Sequence, residues 1–325
     1  MGKILVSASH FDTLCKDAWE LLEKNGHEVI YDKTRSFPAY SFEELKDIIG
    51  DIDAAIIGMD KYTEEVFEIA PKLKAVAKFG VGVDNIDLVA AKKHGVKALN
   101  APGQNSNAVA ELTVCYILDM LRKVIPIHEE LKEGNWPRWI GSELRGKTVG
   151  LVGFGAIARL VAKKLQGFDV QIKAYDLYMN QKLADELGVK ACSLDEIIET
   201  SDVVSLHIPV SDDTYHMFNT EMFMRMKKGS YLVNAARGGL VDLDDLTKAL
   251  REGQLAGAAL DAFEMEPLPK GMEIFNYNVV CTPHIGESHL KHTEMLACVY
   301  RKTLYVYLQV KNRSIVLTDN ILYPP

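Results

Sequence analysis

Three charged or titratable side chains in the second half of the chain follow apolar stretches, and each suits a step of acid–base chemistry. Arg237 stands in NAARGGLVD, Glu266 in LDAFEMEP and His284 in TPHIG. A guanidinium binds a carboxylate through two parallel hydrogen bonds. A carboxylate beside an imidazole raises the imidazole pKa and fixes its tautomer, which makes the ring a better proton donor near neutral pH. If folding brings the three together, they predict a site that holds an acid group and moves a proton.

A glycine-rich turn in VGLVGFGAIA (149–158) lies between an apolar stretch and a helical pattern. Gly153 permits a tight turn, Gly155 lets the backbone approach a pyrophosphate, and Ala158 supplies the small residue needed at the third position. The helix start offers free N–H groups to phosphates. Asp176 ends the next predicted strand about 20 residues later, where a carboxylate accepts bonds from ribose hydroxyls and repels a 2′-phosphate. The pattern predicts a dinucleotide site that prefers NAD to NADP.

Short apolar stretches alternate with amphipathic helical patterns along the whole chain. The predicted strands are 3–9, 27–32, 53–59, 72–80, 96–100, 148–155, 172–176, 203–208, 231–236, 256–262 and 279–282. This alternation predicts parallel sheets covered by helices, and 325 residues are enough for two such domains. One long helix is predicted over 107–132 and another over 288–310. The helix predicted over 107–132 is longer than most helices of globular proteins, so we expect it to bridge two domains or two subunits.

Composition excludes several classes of protein. The net charge is −8 with no block of like charges, which argues against nucleic acid or an anionic membrane as a partner. No apolar run approaches the ~18 residues of a membrane span, and the start does not resemble a signal peptide. The five cysteines are scattered and fit no metal or redox spacing. We expect a cytoplasmic protein with reduced thiols, a small-molecule substrate and no metal site.

Taken together, the motifs resemble those of the D-isomer-specific 2-hydroxyacid dehydrogenases. The resemblance extends to KFGVGVDNID (78–87), NAPGQNSNAVAE (100–111) and SDVVSLHIPVSDDT (201–214). Within the family, the chain most resembles short-form phosphoglycerate dehydrogenases. The resemblance implies an NAD-dependent oxidoreductase that interconverts a D-2-hydroxyacid and its 2-keto acid by hydride transfer. D-3-phosphoglycerate and 3-phosphohydroxypyruvate are one candidate substrate pair.

The resemblance also assigns roles to individual residues. His284 would donate a proton to the substrate carbonyl oxygen during reduction, Glu266 would hold and polarise His284, and Arg237 would bind the substrate carboxylate. The backbone N–H groups of Val81 and Gly82 would cradle the same carboxylate, because successive free N–H groups form an anion-binding nest. The residues implied in cofactor binding are Gly153, Gly155, Ala156, Ile157, Asp176, His207, Pro209, Thr214, Ala235, Ala236, Asp261 and Gly286. Among them, Asp261 would accept a hydrogen bond from the nicotinamide amide.

The family's layout implies two doubly wound parallel-sheet domains with a cleft between them. Residues 1–101 and 288–325 would form a flavodoxin-like substrate domain, and residues 102–287 a Rossmann-type NAD-binding domain. Gly103 and Gly286 would lie where the chain crosses between the domains. The helix predicted over 107–132 and the arm with Trp136 and Trp139 would form a homodimer interface.

One departure from the family pattern leaves the substrate open. Phosphoglycerate-specific members usually carry an arginine after the strand that corresponds to 53–57, where this chain reads IGMDK (57–61). Lys61 carries a compact ammonium group, which is not equivalent to the planar guanidinium of an arginine. Hydroxypyruvate, glyoxylate or another 2-keto acid is therefore an alternative substrate. An alternative of another class is an NAD(H)-sensing protein similar to the corepressors in this family.

Overall fold

The computed structural model describes residues 2–8, 11–34, 39–103 and 105–286, which form two compact α/β units. The division between the units falls between Asn105 and Ser106. The helix predicted over 288–310 and the assignment of residues 288–325 to the first domain lie outside the described residues. Each unit is described by itself below.

The first unit is a five-stranded parallel sheet with helices on both faces. Its elements are β1 (Lys3–Val6), α1 (Phe11–Leu14), α2 (Lys16–Lys24), β2 (Glu28–Ile30), α3 (Phe42–Ile48), β3 (Ala54–Ile57), α4 (Glu64–Glu68), β4 (Ala75–Lys78), α5 (Leu88–Lys93) and β5 (Lys97–Leu99). The strand order is β2-β1-β3-β4-β5, with every pair parallel. Ile4 and Val6 belong to one core cluster and Leu5 to another, so β1 is buried on both faces. The predicted flavodoxin-like, doubly wound sheet is confirmed.

The second unit is a seven-stranded parallel sheet. Its elements are α6 (Ser106–Arg122), α7 (Val124–Lys132), β6 (Thr148–Val152), α8 (Ala156–Leu165), β7 (Gln171–Tyr175), α9 (Gln181–Glu186), β8 (Lys190–Ala191), α10 (Leu194–Thr200), β9 (Val203–Leu206), α11 (Thr220–Arg225), β10 (Ser230–Asn234), α12 (Leu243–Arg251), β11 (Leu255–Leu260) and β12 (Val279–Cys281). The order β12-β11-β10-β9-β6-β7-β8 is the Rossmann order with one further strand. Val203 and Val204 lie in different core clusters, so this sheet is also covered on both faces. The Rossmann-type prediction is confirmed.

The strand register aligns the carboxyl ends of the central strands of the second unit. Asn234 of β10 pairs with Leu260 of β11, which pairs with Cys281 of β12. On the other side, Val152 of β6 pairs with both Tyr175 of β7 and Leu206 of β9. The loops that follow these strands therefore emerge at one edge of the sheet, which is where doubly wound folds bind ligands.

The prediction of one long helix over 107–132 is wrong, because the chain forms two helices that are separated at Lys123. Lys123 adopts a left-handed conformation with φ 54°, and the Asp119 side chain accepts a hydrogen bond from Ile125 N–H at 3.1 Å. Pro126 explains the break, since proline lacks an N–H and its ring clashes with the preceding helical turn. The described helices include none that is long and apolar enough to cross a membrane.

Candidate functional site

The glycine turn after β6 requires glycine at its first position. Gly153 has φ 98°, and a Cβ placed on it would lie 2.6 Å from the carbonyl oxygen of His207. Gly155 precedes the first residue of α8, and a Cβ there would meet nothing within 4 Å, so the space above the helix start is open. Ala156 is exposed and Ile157 is half-buried at that start, whereas Ala158 is fully buried. The turn therefore has the tight first glycine and the open helix N-terminus that are typical of pyrophosphate-binding turns.

Asp176 ties the end of β7 to the glycine turn. One of its carboxylate oxygens accepts a hydrogen bond from Phe154 N–H at 2.7 Å, and the other accepts from Tyr178 N–H at 2.8 Å. A carboxylate offers about four lone-pair sites, so each oxygen keeps one free for another donor. The ribose contact predicted for Asp176 is compatible with this geometry and stays a prediction.

The residues predicted on the adenine side, His207, Pro209 and Thr214, lie in the loop that follows β9. The Thr214 hydroxyl donates to the Pro209 carbonyl and accepts from Ser211 N–H, each at 2.8 Å. His207 Nε2 lies 3.0 Å from Ser205 Oγ, and burial lowers the pKa of His207 to about 4. His207 is therefore neutral at physiological pH, and the loop is closed by its own hydrogen bonds.

Arg237 projects from a loop that is folded around a buried amide. Asn234, at the end of β10, is fully buried, and its Nδ2 donates to the carbonyl of Arg237 at 2.8 Å. Its Oδ1 accepts from Ala236 N–H at 3.1 Å, which leaves Ala235 half-buried between them. Arg237 Nη1 donates to the Ala236 carbonyl at 2.8 Å. Asn234 therefore fixes the backbone that carries the arginine.

Gly238 brings this loop against the segment that carries Glu266. A Cβ on Gly238 would lie 2.0 Å from the carbonyl carbon of Phe263 and 2.2 Å from the nitrogen of Glu264. Such distances are far inside van der Waals contact, so no other residue fits without moving the backbone. The Arg237 charge is close enough to contribute to the lowered pKa of Glu266.

Glu266 and His284 form the pair that the sequence could not establish. His284 Nδ1 lies 3.2 Å from both carboxylate oxygens of Glu266, and Phe263 N–H donates to the same carboxylate at 2.9 Å. Burial opposes ionisation of Glu266, but the hydrogen bonds from His284 and Phe263 and the positive charge of Arg237 outweigh it, and its pKa is lowered. Because an ionised carboxylate only accepts, the His284 proton that faces Glu266 lies on Nδ1.

Asp261 holds the ends of the His284 segment. It is 1% exposed and accepts from the Thr282 hydroxyl at 2.5 Å and from the N–H groups of Ile285 and Gly286, each at 2.8 Å. The Tyr116 hydroxyl on α6 also donates to it, at 3.2 Å. A Cβ on Gly286 would lie 2.9 Å from Asp261 Oδ2. These hydrogen bonds to Asp261 hold the segment 282–286 at both ends, and we call them the Asp261 clasp.

His284 stands inside this clasp with φ 54°, a left-handed conformation that is unusual for histidine. The family resemblance implies that Asp261 and Gly286 lie beside the cofactor, but it implies no role for Tyr116 or Thr282. Tyr116 precedes Asp261 by 145 positions. No local pattern could have linked the two residues, because only the packing of α6 on the sheet brings them together.

The first unit carries a candidate group of a different kind. Val81 and Gly82 lie in the loop after β4, and both are half-buried. Among the described residues, neither of their backbone N–H groups donates a hydrogen bond. Successive N–H groups of this kind suit an anion, as the resemblance implied.

The segment after β3 carries no arginine, and the structure shows how its residues are used. Asp60 is 1% exposed and accepts from Ser7 Oγ, from Tyr40 N–H at 2.6 Å and from Gly58 N–H at 3.2 Å. Burial is the main cause of its raised pKa. Lys61 is exposed, and Lys78 donates to the Gly58 carbonyl. Within the described residues, no group of three or more His, Cys, Asp or Glu side chains could hold a metal ion.

The fold and the glycine turn define an NAD-binding α/β protein with an acid–base pair at its ligand edge. The family model described as "D-isomer specific 2-hydroxyacid dehydrogenase, NAD binding domain" matches residues 114–286. This range is more than half of the chain, and the chain belongs to the D-isomer-specific 2-hydroxyacid dehydrogenase family. The predictions of an NAD-dependent oxidoreductase and of NAD as the cofactor are confirmed.

Similar proteins include two differently named enzymes. A glyoxylate reductase of Thermofilum pendens is 39% identical over 304 residues, which cover 91% of this chain and 89% of that protein. A D-3-phosphoglycerate dehydrogenase of Methanocaldococcus jannaschii is 40% identical over 294 residues, which cover 89% of this chain but 54% of that protein. The crystal structure of the TT0316 protein from Thermus thermophilus is similar with a TM-score of 0.85 and 33% identity, covering 94% of this chain and 97% of that one.

Proposed function

We propose that the chain interconverts a small, unphosphorylated 2-keto acid and the corresponding D-2-hydroxyacid, with NAD(H) as the redox partner. The observation that carries the proposal is the His284–Glu266 pair, whose Nδ1–carboxylate distances are 3.2 Å, at the sheet edge that also holds Arg237. The arrangement combines a proton donor, a carboxylate that orients this donor, and a guanidinium that can bind an acid group.

The proton moves through His284. Glu266 is ionised and fixes the proton of the neutral ring on Nδ1, so Nε2 is the atom that exchanges a proton with the substrate. In the reducing direction, Nε2 donates to the carbonyl oxygen as that oxygen gains negative charge. The Glu266 carboxylate stabilises the imidazolium before donation. In the oxidising direction, Nε2 accepts the hydroxyl proton, and the same carboxylate stabilises the ring that forms.

The acid group of the substrate is held by charge and by backbone. Arg237 offers parallel N–H donors to the carboxylate and polarises the adjoining carbonyl. The N–H groups of Val81 and Gly82 supply uncharged donors of the kind that bind anions.

The residues at the second unit's sheet edge fit a dinucleotide. Gly155 leaves room for a pyrophosphate, and Asp176 retains a free lone pair on each oxygen for ribose hydroxyls. Its negative charge disfavours the 2′-phosphate of NADP. When bound, the nicotinamide supplies or accepts the hydride. The chain's own residues position the reactants and move the proton.

The choice of an unphosphorylated acid rests on the loop after β3. That loop offers no guanidinium fork, its Lys61 is exposed, and Lys78 is already bonded to the Gly58 carbonyl. Glyoxylate and hydroxypyruvate fit these residues better than 3-phosphohydroxypyruvate. The similarity to the T. pendens glyoxylate reductase supports this choice. The similarity to a phosphoglycerate dehydrogenase keeps the phosphorylated acid as the second candidate.

We also propose a homodimer whose interface includes α7 and the arm that follows it. This segment exposes six large apolar side chains in one continuous stretch of chain. They are Val124 (57%), Ile125 (47%), Leu131 (49%), Trp136 (78%), Trp139 (46%) and Ile140 (90%). Exposed tryptophans are typical of interface anchors. Light scattering should give about twice the mass of one chain, and Trp136→Ser with Ile140→Lys should yield monomers.

The proposed reaction is tested by NADH oxidation with a panel of glyoxylate, hydroxypyruvate, pyruvate and 3-phosphohydroxypyruvate. We expect turnover of an unphosphorylated acid and a loss of about 100-fold or more in kcat for His284→Ala. His94→Ala is the matched control, because His94 also pairs with a glutamate, Glu64, at 2.7 Å, but lies at the end of α5. It should retain full activity.

Two results would overturn parts of the proposal. Turnover of 3-phosphohydroxypyruvate alone would reverse the substrate choice. Binding of NADH without turnover of any acid would favour the NAD(H)-sensing alternative over the enzyme.

A further inference from the structure

The loop after β4 is anchored at two consecutive carbonyl groups. Asn100 Nδ2 donates to the carbonyl of Val81 at 2.6 Å, and Ala101 N–H donates to the carbonyl of Gly80 at 3.0 Å. Asn100 and Ala101 follow directly after β5, whose last residue is Leu99. The bond from Ala101 to Gly80 therefore continues the backbone hydrogen bonding between β4 and β5 by one bond beyond the strand ends. The bond from Asn100 to Val81 comes from a side chain, which takes the place of a further backbone bond.

These anchors decide where the neighbouring N–H groups point. In a trans peptide, the carbonyl of one residue and the N–H of the next point in opposite directions. The carbonyl of Gly80 faces Ala101, so the N–H of Val81 points away from the chain after β5. The carbonyl of Val81 faces Asn100, so the N–H of Gly82 also points away. Two successive donors are thus turned to the same side and left without an acceptor among the described residues.

Asn100 is an unusual residue for a merely structural role. Its side chain is 7% exposed, and its Oδ1 is buried without a hydrogen-bond partner in the described part of the chain. Within those residues, the contact with Val81 is the one hydrogen bond that its amide makes. A buried amide that leaves an acceptor unsatisfied costs stability. An apolar residue would fill the position better unless the contact with Val81 were needed.

We propose that Asn100 is a positioning residue that sets the Val81–Gly82 peptide so that its N–H receives the substrate carboxylate. The inference rests on the proposed function, since it deepens the carboxylate binding described there. Without the Nδ2 donor, the peptide can rotate and turn its carbonyl towards the anion. A carbonyl oxygen repels a carboxylate, so rotation replaces an attraction by a repulsion.

The test compares Asn100→Ala and Asn100→Asp with the wild-type protein in steady-state kinetics. Asn100→Asp keeps the side-chain volume but removes the donor and adds a negative charge. The matched control is Asn278→Ala, because Asn278 is half-buried and also donates its amide to a backbone carbonyl, that of Ala256 at 3.0 Å. The substrate is the best acid of the panel, with its methyl ester as the uncharged analogue. Thermal unfolding is recorded for every variant.

We expect KM for the acid to rise about 10- to 100-fold in Asn100→Ala and further in Asn100→Asp, because a hydrogen bond to a charged group is lost. KM for NADH and the kinetics with the ester should change less than about threefold. Oxamate, an unreactive analogue of a 2-keto acid, should bind more weakly to the variant–NADH complex by the same factor as KM rises. Asn278→Ala should leave the acid-to-ester ratio unchanged.

Two outcomes would overturn the inference while leaving the proposed function intact. One is an active wild-type enzyme whose Asn100 variants bind the acid and oxamate normally. The other is an equal loss for acid and ester, which would make Asn100 a structural residue only. An inactive wild-type protein would instead contradict the proposed function, so the two failures are distinguishable.

Discussion

The loop after β4 in the first unit and the loops after β10, β11 and β12 in the second unit carry two different kinds of candidate binding group. The first presents backbone N–H groups of Val81 and Gly82, which carry no net charge. The second presents the charged or titratable side chains of Arg237, Glu266 and His284. Both follow carboxyl ends of parallel strands, so the same fold element yields two chemically distinct regions.

The difference lies in how each region is held in place. The backbone region is anchored through its own carbonyls by Asn100 and Ala101. The side-chain region is held by buried polar groups, with Asn234 inside the Arg237 loop and Asp261 at both ends of the His284 segment. In both regions the candidate binding groups are exposed or half-buried, whereas the residues that hold them are buried: Asn100 is 7% exposed, Asn234 0% and Asp261 1%.

The largest effect is expected from Gly238→Ala, which tests whether the side-chain region depends on close loop contact. The new Cβ would lie 2.0 Å from Phe263, so the Arg237 and Glu266 loops must separate. We expect kcat/KM to fall on the order of 1,000-fold, since small misplacements at such sites are costly. Gly239→Ala is the control, because its Cβ would meet Tyr215 at an ordinary 3.4 Å. Similar losses in both variants would contradict the contact argument.

Glu266→Gln removes the charge but keeps the shape of the side-chain region. We expect kcat for reduction to fall about 100-fold, because the amide neither stabilises the imidazolium nor fixes the tautomer as well. The alkaline limb of the pH–rate profile for reduction should move to lower pH, since the protonated ring has lost its counter-charge. An unchanged limb would show that His284 titrates independently of Glu266.

Two histidines after strands of the second unit sharpen the comparison, because exposed His284 is paired with Glu266 whereas half-buried His207 faces the Ser205 hydroxyl. The pKa of His207 is about 4 in the folded protein against about 6.5 when unfolded. Between these values the unfolded chain binds more protons, so stability falls as pH drops from about 6.5 towards 4. The loss should be roughly 2 kcal/mol at pH 5. It can be measured by urea unfolding at pH 8 and pH 5.

His207→Gln should abolish that part of the pH dependence, whereas the same change at exposed His128 should preserve it. If the two variants showed the same pH dependence, burial would not be what lowers the pKa of His207.

Gly80→Ala tests the backbone region in isolation. Gly80 has φ 152°, which an alanine adopts only with strain, so the Gly80–Val81 peptide should shift. We expect KM for the keto acid to rise about tenfold with little change in kcat. Gly95→Ala carries a similar backbone strain at φ 71° in an open turn of the same unit and should leave KM unchanged. A loss in kcat alone would contradict the expectation that the backbone region affects substrate binding and not the proton-transfer step.

The smallest effect is expected from Tyr116→Phe, which removes one donor from the Asp261 clasp. Thr282, Ile285 and Gly286 still bind the carboxylate, so kcat should fall only about fivefold. KM for NADH should stay constant if Tyr116 acts on the His284 segment and not on the cofactor. Tyr231→Phe in β10 provides the control, because its hydroxyl makes no hydrogen bond within the described residues. Equal effects of the two changes would assign Tyr116 to packing alone.

Much of the architecture was predictable because burial on both faces of a sheet leaves a strong record in the sequence. The apolar stretches of β1 and β9 alternate with helices, and neighbouring residues in each strand enter opposite cores. The break at Lys123 was missed because apolar periodicity continues across it, although Pro126 marks the position where the first helix could not continue. The two-residue strand β8 was too short to produce a pattern.

The sequence by itself determined which side chains stand at strand ends: a guanidinium, a carboxylate, an imidazole and a glycine turn followed by an acid. Residue type and position after an apolar strand are local properties, and the rules for parallel sheets convert them into a ligand edge. Only the tertiary structure decided that Glu266 meets His284, that Tyr116 reaches Asp261 and that Asn100 turns the Val81–Gly82 peptide. Those facts depend on the direction of hydrogen bonds between groups far apart in the chain. Packing alone sets that direction.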